Sequence, residues 1–256
     1  MPTLLSAHNP RIERVRELLA AKGRRAAGLF AAEGPTLLDE ADRSGVAARE
    51  IYGTEAALAR IDAGRYEAAG IPVYALADRS FSRISDLETP TGILGIFDLP
   101  VRTAAEVMAR PGAVLLLAGV NDPGNAGTLV RSAEAFGAAG VLFGRGGADP
   151  YSPKVVRAAM GSIFRLPVAQ VEAEEALAAA QASGRPMVAT DLDGEELDRA
   201  TLPTNAVLAV GNERRGVRDW LPRWDRAVRI PQRDAAESLN AAVAGSIVLY
   251  ESSRVK

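Results

Sequence analysis

Residues Val114–Val120 (VLLLAGV) form an unbroken apolar run that leads into a turn rich in glycine and proline. A strand reads this way when both of its faces are covered, because alternate side chains then meet helices instead of water. The run therefore calls for a sheet sandwiched between helices, and the rest of the C-terminal half supplies both layers. Short apolar segments recur at Val141–Phe143, Met187–Thr190 and Val207–Val210. Between them lie helical patterns after the first turn, at Pro153–Phe164 and at Glu172–Ser183. A last helix over Ser238–Ser253 carries Leu239, Val243, Ile247 and Tyr250 on one stripe. This alternation predicts an α/β fold with a mainly parallel sheet.

The N-terminal half predicts a second, smaller α/β unit over residues 1–97. Ile12, Val15, Leu18 and Leu19 recur at three- and four-residue spacing, which predicts an amphipathic helix over 11–22. Apolar elements follow around Leu29–Ala31, Glu50–Tyr52 and Val73–Leu76, with a helix near Pro35–Ser44 and a closing strand at Gly92–Asp98. Residues 98–111, with two prolines, read as a linker or connecting helix. There is no internal repeat and no low-complexity tract.

Composition excludes several chemistries. Without cysteine, and with His8 as its one histidine, the chain has no disulfide, no thiolate metal site and no multi-histidine cluster. No apolar run approaches the roughly 18 residues of a membrane span, and the N-terminus lacks a signal-peptide pattern. A cytoplasmic protein without a structural metal is expected. Net charge is −2, yet Arg11, Arg14, Arg16, Lys22, Arg24 and Arg25 face two acids, Glu13 and Glu17. Such a segment is either a local phosphate-binding surface or a solvated helix face.

Three polar segments interrupt the C-terminal pattern. In Asn121–Gly137 (NDPGNAGTLVRSAEAFG), Asn125 stands where a helix N-cap belongs, and Arg131 falls off the buried face. The segment matches neither a Walker loop nor the dinucleotide G-x-G-x-x-G pattern. In Ala209–Val217 (AVGNERRGV), a strand ends at Gly211 and Glu213 follows in a loop, at the carboxyl edge where open α/β sheets bind ligands. In Ile230–Glu251, Ser238 and Asn240 flank Leu239 at a helix start. Each residue taken alone is also an ordinary cap, loop acid or surface cation.

Together these segments resemble the three signature motifs of the SpoU (TrmH-like) RNA 2′-O-ribose methyltransferases. The match runs through N-D-P-G-N-A-G-T-L-V-R, then G-N-E-x-x-G, then I-P-x-x-x-x-x-E-S-L-N with a terminal helix ending in Y-E. Ser152–Val168 is similar to the stretch between the first two motifs. The N-terminal block is similar to the substrate-binding domain often fused ahead of such a catalytic domain, through N-P-R-I-E-R-V-R-E-L and L-F-A-A-E-G-P-T-L-L-D-E-A.

The resemblance implies a catalytic domain over 112–256, tied in a deep trefoil knot of the SPOUT type and working as a homodimer. It implies S-adenosylmethionine as methyl donor, with Gly211, Ile230 and Leu239 as donor contacts and Thr190 and Val210 as wall residues. The matched polar set is Asn125, Arg131, Glu213, Ser238 and Asn240; Arg131 would act as general base or as a bidentate clamp on the target phosphate. Structured RNA, ribosomal in the leading reading, would meet the N-terminal domain through Arg11, Arg24 and Arg25. A tRNA substrate and a non-catalytic RNA-binding protein of the same fold are the alternatives; a nicotinamide enzyme would need the missing glycine fingerprint.

Overall fold

The computed structural model describes residues 2–197, 202–212, 215–233 and 238–254, and the chain divides into two compact units. The first comprises residues 1–100 together with 151–164, the second 101–150 with 165–256.

In the first unit the chain runs through β1 (Thr3–Leu4), α1 (Pro10–Glu17), α2 (Ala21–Ala27), β2 (Leu29–Glu33), α3 (Pro35–Arg43) and β3 (Glu50–Thr54). It continues through α4 (Glu55–Leu58), α5 (Ala63–Ala68), β4 (Val73–Leu76), α6 (Asp78–Phe81) and β5 (Ile93–Asp98). The sheet order is β1-β4-β3-β5-β2, parallel from β1 to β3 and antiparallel at both sides of β5. The segment expected to close the unit thus lies inside its sheet. The single helix expected over 11–22 is two helices, because the chain leaves the helix after Glu17 and Arg24 folds back on the break. Its Nη1 donates to the carbonyls of Leu18 and Leu19 at 2.8 and 2.9 Å. The core gathers Ile12, Val15, Leu18, Tyr52, Phe81 and Ile96.

Residues 151–164 pack in this unit too: the Phe30 ring meets Tyr151 at 5.0 Å and Phe164 at 6.1 Å between centroids. The helix expected over Pro153–Phe164 is broken into α9 (Pro153–Ala158) and α10 (Ser162–Arg165), with Met160 and Gly161 at φ 48° and 91° between them.

The second unit begins with α7 (Ala104–Met108), whose start carries a capping box between Thr103 and Glu106. Part of the stretch read as linker or connecting helix is therefore a core helix: Ala104, Val107 and Met108 join the main cluster. There follow β6 (Val114–Ala118), α8 (Pro123–Ala135), β7 (Gly140–Gly144), β8 (Val168–Val171), α11 (Ala173–Ala182), β9 (Met187–Glu196), β10 (Val207–Gly211), β11 (Arg226–Arg229) and α12 (Ala241–Ser253). The six strands pair in parallel in the order β11-β9-β10-β6-β7-β8. Every residue of β6 and β10 is buried, as a sheet covered on both faces requires.

Arg185, before β9, is a buried cation. Its guanidinium donates to the carbonyls of Met108, Arg110, Gly112 and Asn205, tying α7 and the strand entries together. Burial pulls its pKa below the usual guanidinium value.

Candidate active site

The carboxyl ends of β6, β9 and β10 open to one edge of the parallel sheet, where such sheets leave a crevice. β10 ends at Gly211, and the chain turns back at once. Asn212 and Gly216 exchange backbone hydrogen bonds of 3.1 and 2.9 Å. A Cβ at Gly211 would lie 2.1 Å from the Gly216 carbonyl carbon, so the turn admits no side chain there. Asn212 Nδ2 donates to the Gly119 carbonyl at 3.2 Å and fastens the turn to the end of β6.

On one side of this turn lies a cavity of about 540 Å³, walled by Thr190, Val210, Gly211, Ile230, Ser238 and Leu239. Thr190 Oγ1 donates to the Ala209 carbonyl at 2.9 Å, so its methyl rather than its hydroxyl is left for the wall. Charge gathers on the outer half of β9. Arg218 binds Asp191 through two hydrogen bonds of 2.8 and 3.1 Å and reaches Asp193 at 3.0 Å. The Arg218 hydrogen bond holds the Asp191 carboxyl below the usual carboxylate range, against the opposing pull of burial. Asp191, Asp193 and Arg218 also line the cavity. The motif reading passed over them, although an acid directly after the apolar segment Met187–Thr190 is the same signal that pointed to Glu213.

The second part of the site is built by two helices. α12 packs on α8 where it has no side chain: a Cβ at Gly245 would come 2.4 Å from Leu129 Cδ2 and 3.0 Å from Val210 Cγ2. The Ser132 and Ser246 hydroxyls meet across this seam at 2.7 Å. The packing brings both helix starts together, and Asn240 Nδ2 donates to Asn125 Oδ1 at 2.9 Å. Asn125 is not the N-cap of its helix. Asp122 holds that place and accepts from the Asn125 backbone N–H at 2.8 Å, because Pro123 takes the first helical position. Ser238 is likewise not the cap of α12; Asn240 Oδ1 accepts from Ala242 and Val243 N–H at 2.8 and 3.2 Å.

Arg131 lies on the exposed side of α8 and makes no hydrogen bond or ion pair among the described residues. Glu213 lies outside the described residues. In the first unit, Arg25 is exposed near the end of α2. Arg11 is half-exposed, bonded to Glu50 at 2.7 Å and lying over the Tyr74 ring. Arg24 departs from expectation: it is 3% exposed and its guanidinium is spent on the end of α1, so it offers RNA no contact. Among the described residues no acidic or histidine cluster could hold a metal, and no helix is long and apolar enough to cross a membrane.

The chain is similar to known proteins in sequence and in fold. The model of the SpoU rRNA methylase family matches residues 112–250, and that of the MRM3-like substrate binding domain matches residues 9–95. The chain is 32% identical, over 98% of both chains, to the 23S rRNA (guanosine(2553)-2′-O)-methyltransferase RlmP of Bacillus subtilis. It superposes on the AdoMet-bound rRNA methyltransferase of Sinorhizobium meliloti with a TM-score of 0.85 at 31% identity, covering 98% of this chain and 97% of that one. For the SpoU methyltransferase AviRb of Streptomyces viridochromogenes, in complex with AdoMet, the TM-score is 0.81 at 28% identity, with 96% and 98% covered. A parallel sheet whose motif residues meet at its carboxyl edge, matched to a family model over more than half its length, makes this chain a member of the SpoU methylase family.

Proposed function

We propose that the protein is an S-adenosylmethionine-dependent RNA 2′-O-ribose methyltransferase acting on ribosomal RNA. The observation that carries this reading is the convergence of Val210 and Gly211 at the second motif, Ile230, Ser238 and Leu239 from the third, and Thr190 from the apolar segment between the first two, on one cavity beside the Asn125–Asn240 pair. The cavity suits the donor. Its apolar wall and the backbone at Gly211 fit an adenosine, and the Asp191–Arg218 pair offers both charges for an aminocarboxylate.

When bound, S-adenosylmethionine supplies an electrophilic methyl on a sulfonium. The remaining task is to hold a ribose 2′-oxygen in line with that methyl and to lower the cost of its deprotonation. Asn125 and Asn240 fix each other and would orient the ribose. A guanidinium keeps its proton at physiological pH, so Arg131 acts as a cation: it clamps a phosphate of the target nucleotide and stabilises the forming alkoxide. Ser238 shapes the pocket, and Glu213 is assigned to holding Arg131.

The division of labour follows the same reading. Residues 1–97 engage folded RNA, with Arg11 and Arg25 at phosphates, and residues 112–256 carry the transfer. The intervening 98–111 contribute α7 to the second unit's core. The family's deep trefoil knot would lie in the second unit, which agrees with β10 entering between strands formed earlier in the chain. Homodimerisation is supported by an apolar groove of Phe136, Val243, Ile247 and Tyr250 on α8 and α12, beside Asn125 and Asn240; Val243 and Tyr250 are 47% and 44% exposed. A ribosomal RNA substrate supports a cytoplasmic location.

The reading is tested by calorimetric titration with S-adenosylmethionine and by mapping ribose methylation across total rRNA with and without the protein. Donor binding and one new 2′-O-methyl site are expected; no donor binding would refute it.

A further inference from the structure

On the far side of the Asn212–Gly216 turn lies a second cavity, of about 610 Å³, which shares Asn212, Arg215 and Gly216 with the first. One wall is the half-buried indole of Trp220. Its ring lies across the ends of β6 and β7, where glycines leave it room: a Cβ at Gly144 would come 2.6 Å from the ring, and one at Gly119 3.5 Å from Trp220 Cβ. The indole N–H donates to the Arg145 carbonyl at 2.9 Å, which fixes the ring's orientation. An indole held in one orientation in the wall of a cavity offers a stacking platform.

The rim chemistry narrows the ligand. Arg145 and Arg215 are balanced by Asp122 and Asp219, which also line the cavity, and Arg215 already bonds Asp219 at 3.1 Å. An even balance of charge does not select a bare anion. The exposed Asn121 carboxamide has no hydrogen-bond partner among the described residues and offers both a donor and an acceptor to a ring edge. We propose that this cavity seats a nucleobase of the RNA substrate, splayed from its stack onto Trp220 with Asn121 at its edge. The inference rests on the RNA methyltransferase reading and adds a base-recognition site one turn away from the donor cavity.

The test uses the full chain carrying Trp224→Phe, which leaves Trp220 as its single tryptophan. Titration with each of the four ribonucleoside 5′-monophosphates should quench its fluorescence in at least one case, while ribose 5-phosphate should not. In methyl transfer to rRNA, Trp220→Leu should raise KM about tenfold or more, and Trp220→Phe, which keeps an aromatic face, should stay close to the parent. The affinity for S-adenosylmethionine should be unchanged in both. Quenching by none of the nucleotides, or equal KM values for the Leu and Phe variants, overturns the proposal while intact donor binding leaves the enzymatic reading standing.

Discussion

Asn240 performs two tasks with different atoms, and substitution can separate them. Its Oδ1 caps α12 by accepting from two backbone N–H groups, and its Nδ2 donates to Asn125. Replacement by alanine removes both. Loss of an N-cap costs about 1 kcal/mol, and loss of a neutral hydrogen bond at an exposed site adds up to about 1 kcal/mol. For a chain of this size each kcal/mol lowers Tm by roughly 2–4 °C, so Asn240→Ala should melt about 2–8 °C below the parent. Asn240→Asp retains the acceptor oxygen and adds a negative charge at a helix N-terminus, where it is stabilising. The Asn125 amide can rotate to donate to the new carboxylate. Asn240→Asp should therefore melt within about 2 °C of the parent while losing methyl transfer, as Asn240→Ala does. Thermal unfolding followed by circular dichroism at one fixed protein concentration, with transfer measured in parallel, decides the matter. Equal destabilisation by Asp and Ala would refute the capping argument, and full activity in either would remove Asn240 from the site.

Arg131→Ala should abolish transfer while leaving the calorimetric affinity for S-adenosylmethionine within about twofold, since a phosphate clamp touches only RNA; near-parental transfer would sink that role. Arg185→Leu strips four carbonyls of their donor, and urea unfolding should show a loss of at least about 3 kcal/mol; a loss below about 1 kcal/mol would mean the carbonyls are rehydrated at no cost. Asp191 has a depressed pKa in the fold, so its pairing with Arg218 contributes stability that is complete above the unfolded value near 4 and is lost as pH falls through the lower folded value. Asp191→Asn should therefore flatten the acid limb of stability below about pH 4 and leave its shape at pH 6–8 unchanged; identical acid limbs would show that the pair is too weak to matter.

Much of the second unit was legible in the sequence because a parallel strand covered on both faces has no polar alternation to confuse it. VLLLAGV and the run ending at Gly211 could be little else. The expectation that Gly211, Ile230 and Leu239 share one site came through motif order, not through any local pattern, since no periodicity relates residues so far apart. What escaped were tertiary decisions. Pro123 moves the cap back to Asp122, and the buried carbonyl ends of α1 recruit Arg24, which in the sequence is one more cation in a basic run. The Asp191–Arg218 pair joins residues 27 apart, one on β9 and one in the turn after β10, and neither side chain carries any mark of its partner.

The order of the large sheet also bears on how the protein is made. β10 is central in space but late in sequence, entering between β9 and β6 with residues 207–211. During synthesis, β6 emerges well before the strand that pairs with its inner edge, and that edge stays unpaired until β10 arrives. The β10–β6 contacts that join the two halves of the sheet then form at long sequence separation, which slows folding and prolongs the exposure of a sticky strand edge. A nascent chain of this design depends on nothing else pairing with β6 first, and its yield in the cell should be governed by translation rate and chaperone supply more than by the stability of the finished fold.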